Sequence, residues 1–85
     1  MSFLDVTVIK KKKLDKETMM TVSKNGIGKR IFVDFYTIDG KLRVQKSFPD
    51  NGVGERDSKQ FQKQIKSTMD LMNYLGIKVN KWIEI

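Results

Sequence analysis

Arg30-Ile31-Phe32-Val33-Asp34-Phe35-Tyr36-Thr37 and Leu42-Arg43-Val44-Gln45-Lys46-Ser47-Phe48 flank Ile38-Asp39-Gly40-Lys41, the strongest local signal in the chain. Both flanks are rich in β-branched and aromatic residues with the alternating period of a half-buried strand. Asp39-Gly40 between them is hairpin chemistry and predicts a type I′ turn, with both residues at positive φ. Pairing across it sets Thr37 against Leu42, Phe35 against Val44, Val33 against Lys46 and Ile31 against Phe48. That side is mostly apolar and is expected to face a core. The other side sets Tyr36 against Arg43, Asp34 against Gln45 and Phe32 against Ser47, with Lys41 at the turn and Arg30 adjoining.

Working outward, residues 3–9 are β-branched and partly alternating and read as a strand, and residues 18–23 read as a shorter one. Asn25-Gly26-Ile27-Gly28 is turn chemistry, and residues 49–54 form a loop. A helix is expected next, capped by Asp57 with Gln60 three residues on. Phe61, Ile65, Thr68, Met72 and Leu75 lie along one face of it, and Gly76 sits at the C-terminal glycine position. Residues 77–85 alternate again and predict a final strand. The order is β-β-β-β-α-β. The expected fold is a single α+β domain over residues 1–85, an antiparallel sheet of four to five strands with one amphipathic helix on one face.

The chain has 85 residues, enough for one modest core. It is 39% hydrophobic and 32% charged, too apolar for a disordered tail and too charged for a membrane protein. No apolar run approaches the roughly 20 residues of a membrane helix, so a soluble, cytoplasmic protein without a membrane partner is expected. Cysteine and histidine are both absent, which removes thiolate chemistry, imidazole bases and the commonest transition-metal ligands. The composition argues against an enzyme and suggests no metal, cofactor or catalytic residue.

Net charge is +7, and residues 10–30 carry six of those charges: Lys10, Lys11, Lys12, Lys13, Lys16, Lys24, Lys29 and Arg30 against Asp15 and Glu17. Charge of this sign and clustering favours a polyanion, nucleic acid before an acidic protein surface. If residues 10–13 are extended, alternate lysines project to opposite faces and only half of them meet one surface. The hairpin face bearing Phe32 and Tyr36 among Arg30, Lys41 and Arg43 matches a stacking platform for unpaired bases. The competing reading is that another element covers these two aromatics. The expected function is therefore non-catalytic binding of single-stranded DNA or RNA in preference to duplex. Phe32 and Tyr36 would stack bases, Arg30, Lys41 and Arg43 would border them, and Lys10 to Lys13 with Lys24 and Lys29 would meet phosphates. The alternative is a small basic regulator that binds an acidic surface of a larger enzyme or polymerase. A homodimer through exposed sheet edges is a further expectation.

Two motifs are set aside. Gly26-Ile27-Gly28-Lys29 lacks the spacing and the following hydroxyl of a phosphate loop. Pro49-Asp50 with Asp57-Ser58-Lys59 has the residue types of a metal-dependent nuclease, but the spacing is short and Asp57 stands at an expected helix start.

The order of elements resembles two architectures. One is that of positive-cofactor and Whirly-type single-stranded-DNA-binding proteins, which implies dimeric sheets followed by a helix. The other is the arm-binding N-terminal domain of tyrosine recombinases, which implies a three-stranded sheet entering a major groove; Ile31 to Phe48 and the following helix fit that outline. The strand read over residues 77–85 fits neither.

Overall fold

The computed structural model describes residues 6–76. Four strands, β1 (Val6–Lys13), β2 (Thr18–Asn25), β3 (Arg30–Thr37) and β4 (Arg43–Pro49), form one sheet in the order β1-β2-β3-β4. Every neighbouring pair is antiparallel. Two helices follow, α1 (Gly52–Gln64) and α2 (Thr68–Tyr74). The α+β architecture is the expected one. The final strand read over residues 77–85 and the first residues of the strand read over 3–9 lie outside the described residues.

The central hairpin has the expected register: Tyr36 pairs with Arg43, Phe35 with Val44, Val33 with Lys46 and Ile31 with Phe48. Its turn differs. Gly40 has φ 78°, whereas Asp39 is not in the positive-φ region, so the turn is not type I′. Thr37 N–H donates to the Leu42 carbonyl, so the connection spans four residues, 38–41. The Asp39 carboxylate accepts from Thr37 Oγ1 at 2.7 Å and from the Lys41 N–H at 3.0 Å. An aspartate used this way organises a turn from its side chain and leaves positive φ to the glycine alone.

Alternation fixes the core. Met20 and Val22 of β2, Ile31, Val33 and Phe35 of β3, and Phe48 of β4 are buried on one face. Phe61, Ile65 and Leu71 close over them. Phe61 is the hub, with ring centroids 5.4 Å from Phe35, 6.0 Å from Phe48 and 5.6 Å from Tyr74. Lys46 shares this face and lays its ammonium 5.3 Å from the Phe61 ring centroid, keeping its charge exposed while its stem covers the cluster.

The single helix expected from Asp57 to Leu75 is two helices, and it starts earlier. Asn51 caps α1, its side chain accepting from the Gly54 N–H at 2.8 Å, so Asp57 lies inside the helix. Gly54 is needed here because a Cβ would collide with the Pro49 carbonyl, where the chain doubles back from β4. At Ile65 the backbone turns extended (φ −122°, ψ 111°), and Ser67 caps α2 by accepting from the Asp70 N–H. Gly76 takes φ 80°, the C-terminal left-handed position expected of it.

The break between the helices is pinned from across the fold. Asp15, in the β1–β2 connection, accepts from the Glu17 and Thr18 N–H groups and from the N–H and hydroxyl of Thr68. Buried Thr18 meets the Thr68 hydroxyl at 2.7 Å. The Thr68 N–H, then that of Glu17, hold the Asp15 carboxyl down from its ordinary 3.8 to about 2.

Candidate nucleic-acid interface

The cross-strand register divides the chain's charged and aromatic side chains between two faces. Residues paired across an antiparallel ladder share a face. On the face opposite the helices, Lys13, Met19, Tyr36 and Arg43 form one row. Lys11, Thr21, Asp34 and Gln45 form the next, then Val8, Ser23, Phe32 and Ser47, then Val6, Asn25, Arg30 and Pro49. Phe32 and Tyr36 are half-buried among these neighbours, and neither lies beneath α1 or α2. They are four residues apart on β3, about 13 Å along a strand. Neighbouring stacked bases are about 3.4 Å apart, so the two rings engage bases that are not adjacent in one stack, or a strand whose bases are splayed.

Local bonds hold this face in place. Tyr36 Oη lies 3.2 Å from Thr21 Oγ1 on the neighbouring strand. Arg43 grips Asp34 through two hydrogen bonds, Nε at 3.1 Å and Nη2 at 2.8 Å. The carboxylate in the middle of the face is thereby neutralised, and the guanidinium plane is fixed beside Tyr36. Arg30 Nη2 donates to Ser47 Oγ at 2.8 Å. Serines flank Phe32 on both sides, which keeps bulky neighbours away from its row.

The expected binding residues do not all gather here. Lys11, Lys13, Arg30, Phe32, Tyr36 and Arg43 share the helix-free face. Lys41 and Lys29 stand exposed in turns at opposite ends of it, Lys29 with φ 51°. Lys10 and Lys12 pair with Val22 and Met20 and so lie on the helix side. Lys24 is also on the helix side and meets Asp50 at 3.4 Å. A bulge at Ile9 sets this division, because it shifts the register of β1 between Val8 and Lys10. Met19, Thr21, Ser23 and the Asp34–Arg43 pair complete the face. The sequence hairpin alone did not bring them together, because three of them come from β2.

The two carboxylates of the nuclease reading are engaged elsewhere. Asp50 pairs with Lys24, and Asp57 lies 3.9 Å from Arg56. Among the described residues no group of three or more acidic side chains is placed to hold a metal ion.

No protein-family model matches this chain, and neither a curated protein nor a solved structure matches it.

Proposed function

We propose that the protein binds single-stranded nucleic acid, without catalysis, on the helix-free face of its sheet. One observation supports this reading above the others: Phe32 and Tyr36 share that face with Lys11, Lys13, Arg30 and Arg43. The cations meet phosphates and the rings stack unpaired bases, each base contributing about 1–3 kcal/mol. The spacing of the rings favours a splayed single strand over duplex. With about three phosphates neutralised, by Lys11, Lys13 and Arg30, since Arg43 is already paired with Asp34, the log–log salt dependence of the affinity has a slope of about −2.

The test is titration of a fluorescent oligothymidine and of a matched duplex at two salt concentrations. Tighter single-strand binding with that salt slope supports the reading. Absence of single-strand binding at low salt removes it.

A further inference from the structure

The helix side of the sheet is only partly covered. Four strands spaced about 4.8 Å apart make a layer wider than one helix, whose diameter with side chains is about 10–12 Å. α1 lies over β3 and β4. Over β1 and β2 the layer is left as a groove of about 650 Å³. Its floor is closed by Met20, Val22 and Ile65, with half-buried Leu14 at one side and Ile9, more than half exposed, at its mouth. Lys10 and Lys12 of β1 stand along one rim. Lys59, Lys63 and Lys66 of the helical segment stand along the other, and all five lysines are exposed. Lys10 Nζ reaches across to Gln62 Oε1 at 3.4 Å, an exposed contact that a docked ligand displaces. Among the described residues Glu55 is the one acidic residue lining the groove.

We propose that this groove docks an acidic amphipathic helix of a partner protein, on the side of the sheet away from the proposed nucleic-acid face. A partner helix seated in the mouth of the groove, above its floor, extends the second layer over β1 and β2. Its aliphatic stripe lies on the floor and on the lysine stems, and its carboxylates meet the five ammonium groups. Among the described residues the lining contains neither an aromatic ring nor an arginine, so these residues offer bases no stacking surface. A second copy fits poorly by charge, because its α1 would bring Lys59 and Lys63 against lysines. Residues 77–85 of the same chain carry Lys78 and Lys81 against Glu84, so their charge does not complement the groove.

The test uses the full chain and a labelled synthetic helix of about 15 residues, with a leucine stripe between glutamate flanks. Fluorescence anisotropy is expected to show saturable binding. Lys59→Ala with Lys63→Ala, both exposed, is expected to weaken it by about tenfold, the unfolding transition being checked alongside. The same pair is expected to change oligothymidine affinity by less than about threefold. Replacing the leucines by serine is expected to cost at least about tenfold. The proposal is overturned if the peptide does not bind, if the serine peptide binds equally well, or if oligothymidine displaces the peptide and loses as much affinity in the lysine variant. It is also overturned if the lysine pair abolishes self-association and leaves peptide binding untouched.

Discussion

On one face of β3, Ile31, Val33 and Phe35 are almost inaccessible beneath the helices, while on the other Arg30, Phe32, Asp34 and Tyr36 remain half-exposed. β1 is divided in the same way without being buried on either side. Lys11 and Lys13 join the aromatic face, and Lys10 and Lys12 join the groove. A four-lysine run that looks like one basic patch in sequence therefore serves two surfaces. The difference lies in the period of two and in one bulge, not in residue type.

The largest contrast is in stability. Phe61→Ala removes the ring that joins Phe35, Phe48 and Tyr74 and is expected to cost about 3–5 kcal/mol in urea unfolding. Phe32→Ala, on the open face, is expected to cost about 1 kcal/mol or less. Similar losses at both positions would mean that the open face is structural. The caps come next. Asn51→Ala is expected to destabilise by about 1 kcal/mol and Asp57→Ala by much less, reversing the order expected if Asp57 began the helix.

The lysine run gives a smaller, sharper comparison. Lys11→Ala with Lys13→Ala is expected to make the single-strand salt slope shallower by about 1.4, whereas Lys10→Ala with Lys12→Ala leaves it nearly unchanged. Equal effects would erase the division between the faces. Folding lowers the Asp15 carboxyl from 3.8 to about 2. Its contribution is thus fully present above the unfolded value and is lost as pH falls from about 4 towards 2. Asp15→Asn should flatten the stability profile across that window. An unchanged acid profile would mean that the joint to Thr68 does not contribute.

Much of this was legible from neighbouring residues. The β3–β4 register follows from alternation about Asp39-Gly40, and the splitting of the lysines follows from the same period. The helix break was not legible. Phe61, Ile65, Thr68, Met72 and Leu75 keep helical spacing straight through it, while Asp15, which pins Thr68, lies 53 residues away. The start of α1 was hidden for a related reason. Gly52 and Gly54 have the composition of a loop, and only the close approach of Pro49 shows why a helix needs Gly54 there. The groove was hidden as well, since it depends on α1 lying over β3 and β4 instead of over the middle of the sheet.

In the proposed function the helix-free face holds unpaired bases on Phe32 and Tyr36. The most direct test is oligothymidine affinity, at one fixed salt concentration, of the double variant Phe32→Ala with Tyr36→Ala, its unfolding transition being checked alongside. At about 1–3 kcal/mol per base, binding at least about 30-fold weaker is expected in a variant that still folds. Wild-type affinity in the folded double variant would contradict it.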